Sequence, residues 1–148
     1  MWPKTREKVE FEITQLQRLV DAHRPLLQRM ATTEPDAIEL SALSAYLHSF
    51  YNGIENILRQ VAADVDGVRP AADRWHADLL ALMAATTEDR APLISEPLLA
   101  KLTAYMGFRH VFRHSYTFDL SWRKMHGLVL ESEGVLAEII ESCRKLFV

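Results

Sequence analysis

The chain has 148 residues, of which 49% are hydrophobic and 25% charged, the proportions of one ordinary globular domain rather than of a disordered or fibrous chain. Its single cysteine, Cys143, excludes an internal disulfide framework and suits a reducing compartment. A net charge of −3 argues against a general nucleic-acid binder, which is basic overall.

The chain is expected to fold as one domain over residues 1–148. No apolar run approaches the ~20 residues a membrane span needs. The opening MWPKTREKVEFE lacks the apolar core and cleavage site of a secretory leader, so a cytoplasmic location is expected.

In chain order, the first periodic segment places Val9, Ile13, Leu16, Val20, His23, Leu27 and Met30 on one helical seam. Pro25 falls inside that seam and is expected to kink or interrupt the helix, because it lacks an N–H and crowds the preceding turn. The run TTEPDA breaks the chain, with Asp36 a candidate N-cap. A long second helix carries Leu40, Leu43, Leu47, Phe50, Ile54, Ile57 and Val61, and Gly67 is the expected residue just past its end. Two long helices with matching stripes predict antiparallel neighbours in a bundle.

A short third helix is expected after Pro70, with Trp75, Leu79 and Met83 inward. Ser95 caps a fourth, with Pro97 in its first turn and Leu98, Leu102 and Met106 inward. Gly107 is expected to loosen or bend the chain there. A fifth helix starts at Asp119 or Ser121, with Leu128, Val135, Ile139, Cys143 and Leu146 as its stripe. Cys143 on that stripe reads as a packed thiol. No run alternates polar and apolar long enough for a strand, so the predicted fold class is all-α, an up-and-down bundle of four to five helices.

The chemistry is concentrated in RHVFRHSY, Arg109 to Tyr116. From Arg109 to Lys124 four cations (Arg109, Arg113, Arg123 and Lys124) face one carboxylate, Asp119, a locally basic stretch on an acidic body. A guanidinium binds phosphate bidentately. An imidazole takes and returns a proton near neutrality. Arg109 and His114 together suffice in principle for metal-free cleavage of RNA. The imidazole would move the proton of a 2′-hydroxyl or of the leaving oxygen, and the guanidinium would hold the scissile phosphate. Five residues is about 140° around a helix, so the two meet only at a helix end, across a bend, or between two copies. The same residues also suit a solvated surface between two helices.

FRHVFRHSY resembles the R-x4-6-H signature of HEPN domains, and Tyr116 narrows the resemblance to the HepT-like group with its R-x4-H-x-Y motif. YLHSFYNGIENIL, from Tyr46, resembles that group's second helix, and RWHADLLALM, from Arg74, its third. The resemblance implies a helical, homodimeric, metal-independent endoribonuclease toxin whose motif residues line a cleft shared by two subunits. It implies Arg109 and His114 as the catalytic pair. It also implies a nucleotidyltransferase antitoxin of the MNT type as partner, with Tyr116 as acceptor of AMP. Where many members of the paired group have Asn after the arginine, this chain has His110, expected to orient rather than to carry protons. A non-catalytic nucleotide- or partner-binding module and a structural dimerisation protein are the competing readings.

His48, Tyr51 and Glu55 form a polar stripe on the second helix. Tyr51 and Glu55 are candidate supporting residues, with Glu55 orienting Arg109 or a histidine; a solvated helix edge is the alternative. Arg113 is a further supporting candidate. His76 is expected to pack or touch a helix end, and His23 to be a satisfied seam histidine. His126 adds little to the basic stretch. No metal site and no cofactor is expected. His110 and His114 have zinc-compatible i, i+4 spacing, but H-V-F-R-H lacks the zincin glutamate.

Overall fold

The computed structural model describes residues 2–71, 73–114, 116 and 120–148. These form five helices and no strand: α1 Pro3–Arg29, α2 Ala37–Asp64, α3 Trp75–Met83, α4 Glu96–His114 and α5 Trp122–Leu146. The all-α bundle is therefore the architecture present.

Ion pairs and hydrogen bonds between helices show their directions. Thr5 near the start of α1 donates to Asp64 at the end of α2, at 2.8 Å, and Arg29 at the end of α1 pairs with Glu39 at the start of α2. Those two helices run antiparallel, as their matching seams require. Glu10 with Arg144, and Arg24 with Glu133, set α1 antiparallel to α5 in the same way. Lys101 with Glu138, and Tyr105 with the Leu128 carbonyl, set α4 antiparallel to α5.

The centre of the bundle is α2, which touches all four other helices. Its seam residues from Leu43 to Val61 are buried, and so are Tyr46, Tyr51, Leu58 and Ala62, so it is apolar on more than one face. That is the pattern of a helix enclosed by neighbours rather than laid on a surface. Gly53 is the point of closest approach to α1: a Cβ there would lie 2.5 Å from Leu16 Cδ2. Asp36 caps α2 through a capping box, accepting from the Glu39 N–H at 2.8 Å while Glu39 accepts from the Asp36 N–H at 3.0 Å. Past the other end, Gly67 takes a φ of 69°, one position further out than expected because Val65 is the C-cap.

Three expectations need correction. Pro25 does not interrupt α1, which continues to Arg29. Val20, Leu27 and Met30 are buried on either side of it, and their packing outweighs the lost backbone bond. Gly107 does not break α4, which runs on to His114 with open space beside the glycine. The inward face of α5 is Met125, Val129, Ser132, Val135, Leu136, Ile139 and Cys143, so Leu128 and Leu146 stand only at its edge. On α4, Tyr105 is buried and Met106 half-buried. Ser95 caps α4, accepting from the Leu98 N–H at 3.2 Å, and α5 starts after Ser121. Asp119 lies outside the described residues. Cys143 is a packed thiol, pushed up to about 12 by burial and then by Glu10.

The connection from α2 to α4 is held by a buried ion pair. Arg90 binds Asp66 through Nε and Nη2 at 2.9 and 2.7 Å, and donates to the carbonyls of Leu82, Ala85 and Ala91. Their side chains are 1% and 2% exposed. Removing one partner strands the other charge in the interior. Arg90→Ala should therefore lower the unfolding free energy by about 3–5 kcal/mol in urea denaturation. A loss below about 1 kcal/mol would show that Asp66 reaches water without its partner.

Candidate functional site

A groove of about 410 Å³ opens between the start of α3 and the C-terminal half of α4, lined by Asp73, Arg74, His76, Arg109, His110 and Arg113, with an apolar floor of Ala77, Met106 and Gly107. Three guanidiniums and two imidazoles against one carboxylate give it a cationic character suited to an anion.

Its inner wall is anchored by Glu55. The carboxylate is on the enclosed helix α2 and its side chain is only 5% exposed. A buried carboxylate needs charged or hydrogen-bonding partners. It has two: His76 Nδ1 donates to Oε2 at 2.6 Å, and Arg109 Nη1 lies 3.6 Å from Oε1. The first contact is a short charge-assisted hydrogen bond. The second is an ion pair too long for a good hydrogen bond. Arg109 Nη1 also lies 3.2 and 3.4 Å from the two ring nitrogens of His76. Near-equal distances place it against the ring rather than in line with either lone pair. Arg109 is thus held by Glu55 and His76 while most of its donors stay uncommitted. Its Nε is buried with no hydrogen-bond partner among the described residues.

His76 is itself fixed from behind. Its ring centre lies 3.6 Å from that of Trp75, the first residue of α3, tilted by 30°, and Arg59 of α2 lies 4.9 Å from the Trp75 ring centre.

The other sequence-derived candidates divide into two groups. His110 and Arg113 line the groove and are exposed. His114 and Tyr116 are exposed and do not line it; the His114 ring packs at 4.7 Å on that of His110. Within one chain Arg109 turns towards Glu55 while His114 sits outside the groove. The unbroken helix imposes this, since Gly107 gives no bend to bring them together. Tyr51 is fully buried rather than exposed to the groove. Burial first, and then the charge of Glu55, push its phenol far above its ordinary value. Its hydroxyl has no hydrogen-bond partner among the described residues.

His48 is half-buried against Phe112 at 4.9 Å, outside the groove. Asn52 Nδ2 lies 3.1 Å from its Nε2. Burial, then Arg109, then Arg113, hold it below its ordinary value, so it is a neutral neighbour of the cationic cluster. His23 is satisfied by the Leu19 carbonyl at 2.9 Å and packs on Tyr46. His126 lies edge-on to Trp122, away from the groove.

Glu55 beside Arg109 and a histidine is the pairing that the polar stripe on the second helix suggested, and the solvated-edge alternative fails for it. Sequence reasoning gave His76 only a packing or helix-end contact, and gave Asp73 and Arg74 no role. Their only signal was position, in a short polar run that leads into a helix. No group of three or more His, Cys, Asp or Glu side chains among the described residues is placed to hold a metal ion. No helix among them is long and apolar enough to cross a membrane.

No curated protein and no solved structure matches the chain. One family model does, that of HepT-like protein, over residues 42–147. That stretch begins in the first turns of α2 and runs through α5, so it contains Glu55, His76 and the whole α4 motif, and leaves out α1.

Proposed function

The chain belongs to the HepT-like family, a HEPN-type domain, and from that premise we propose that it is a metal-independent endoribonuclease of the toxin type, acting in the cytoplasm. The observation that carries the proposal is Arg109: a guanidinium fixed by a buried carboxylate, with donors to spare, in a cationic groove. That is a phosphate anchor preorganised before the substrate arrives.

The chemistry follows from the two side-chain types. Arg109 grips a bridging phosphate of RNA. His114 accepts the proton of the 2′-hydroxyl as its oxygen attacks phosphorus, and the bond from phosphorus to the 5′-oxygen breaks. The 5′-oxygen leaves with a proton from water. The products are a 2′,3′-cyclic phosphate and a 5′-hydroxyl. Because His114 of one chain stands apart from its own Arg109, the pair is completed between two copies in a homodimer, with two histidines facing one cleft. His110 and Arg113, exposed along the groove, guide the RNA backbone, and Glu55 and Tyr51 support Arg109 from the core.

Control falls to Tyr116. It is 73% exposed and two residues beyond His114, within reach of another enzyme. An MNT-type nucleotidyltransferase antitoxin would join its phenolic oxygen to the α-phosphorus of ATP, releasing pyrophosphate. The added AMP places a negative charge and a bulky base beside the cleft, where RNA must pass.

The placement of His114 also favours a second reading. If the copies do not share a cleft, the groove binds a nucleotide through Arg109 and cleaves nothing, as a binding module would.

Purified protein in EDTA should cut RNA to cyclic-phosphate ends, and Arg109→Ala and His114→Ala should each slow it by at least ~100-fold. Undiminished cleavage by both variants would sink the nuclease. No cleavage by the wild type, with nucleotide binding lost in Arg109→Ala, would establish the binding module instead. With ATP and a partner nucleotidyltransferase, the chain should gain the mass of AMP and Tyr116→Phe should not. An equal gain by Tyr116→Phe would place the acceptor elsewhere.

A further inference from the structure

We propose that His76 is a positioning residue for Arg109: by occupying one oxygen of Glu55 it stops that carboxylate from closing on the guanidinium, and so keeps Arg109 available to phosphate. This rests on the reading of Arg109 as a phosphate anchor.

The geometry of the carboxylate carries it. Glu55 has two oxygens and they are divided. Oε2 accepts from His76 Nδ1 at 2.6 Å, and Oε1 lies 3.6 Å from Arg109. A carboxylate and a guanidinium frequently form a bidentate pair with two parallel hydrogen bonds of ~2.8 Å. At Asp66 and Arg90 this same molecule makes that pair, at 2.9 and 2.7 Å. On this proposal, Glu55 and Arg109 would close in the same way without a competitor. His76 is the group placed to compete, and its ring is packed against the Trp75 ring, 3.6 Å between centres.

The consequence is electrostatic. A bidentate carboxylate cancels the charge of its arginine and takes two of its donors, which weakens the hold on an incoming phosphate. A carboxylate shared with an imidazole orients the guanidinium with less of that cost. The groups facing His76 are Glu55 from α2, Arg109 from α4, and Asp73, Arg74, His110 and Arg113 along the groove. Only Glu55 offers it a carboxylate within hydrogen-bond distance among the described residues. The role needs a donor at Nδ1 and no proton transfer, so an amide that reaches Glu55 serves as well. Asparagine, whose Nδ2 matches the histidine Nδ1 in position, is the conservative variant.

The probe is a short RNA carrying 2′-O-methyl groups throughout, which lacks the attacking hydroxyl and is bound without being cut. Its affinity is read by fluorescence anisotropy at low salt, and thermal melting checks that each variant folds. His76→Ala should bind about tenfold more weakly, the scale on which second-layer partners support the groups they orient. His76→Asn should stay within about threefold of wild type. Adding Glu55→Gln to His76→Ala should raise affinity more than Glu55→Gln alone raises it in the wild type, because only without His76 does the carboxylate capture the guanidinium. A residue that merely packs would give equal gains in the two backgrounds.

Wild-type affinity in a folded His76→Ala would overturn the proposal, as would a gain from Glu55→Gln no larger in His76→Ala than in the wild type. Normal probe binding by His76→Asn with loss of cleavage of unmodified RNA would also overturn it, by making His76 a proton carrier. The proposed function fails separately. If the wild type binds the probe but cuts no RNA, the nuclease is lost, while the pattern of affinities still decides the role of His76.

Discussion

A single buried carboxylate organises this molecule's polar chemistry. Glu55 lies on α2, the helix that all the others surround, in a stretch otherwise filled by Phe50, Tyr51, Ile54, Ile57 and Leu58. A charge there is tolerable only if partners come to it from neighbouring elements. One comes from α3, His76, and one from α4, Arg109. The carboxylate therefore ties the two helices that wall the groove to the centre of the core, and sets where the cationic side chain of the motif points. The buried pair of Arg90 and Asp66 holds the connection between α2 and α4 that carries α3, so the short helix is fixed at both ends.

The orientation of Arg109 has a cost for catalysis by one chain. An α-helix cannot turn residues five apart to the same side. With Arg109 drawn inward, His114 is left outside the groove near the end of α4, and the exposed Val111 and half-buried Phe112 lie between them on the helix. On the proposed function, a second copy completes the Arg–His pair. The same geometry makes Tyr116 accessible, so that the residue proposed for control lies on the outer side of the motif and not in its anchored half.

Much of this was legible in the sequence. The seams of the first two helices were, because the apolar spacing is regular and both helices pack along their whole length. So were Asp36 and Ser95 as caps, since a short polar side chain before a periodic run has one use there. Pro25 and Gly107 misled because local propensity was set against tertiary packing, and packing won: a helix clamped on both sides of a proline persists. On α5 the expected Val135, Ile139 and Cys143 are buried, but its first turns were misread, because Met125, Val129 and Ser132 set them, and a buried serine, bonded to Tyr46 at 2.8 Å, does not register as a core position. At the site, Glu55 could be found because a carboxylate in an apolar helix is conspicuous. His76 could not, since its role depends on where α3 docks, and nothing in a nine-residue helix states that. The motif resemblance supplied the family that the match over residues 42–147 now shows.

The central claim is that Arg109 and His114 work across two copies. It is tested most directly by mixing two inactive variants, Arg109→Ala and His114→Ala, unfolding and refolding them together to allow mixed dimers, and assaying RNA cleavage in EDTA. In a mixed dimer with crossed pairs, one Arg–His pair carries both lesions and the other carries neither. The account predicts that cleavage returns in the mixture. Mixed dimers that form and stay inactive would contradict it, because each chain would then need its own arginine and its own histidine.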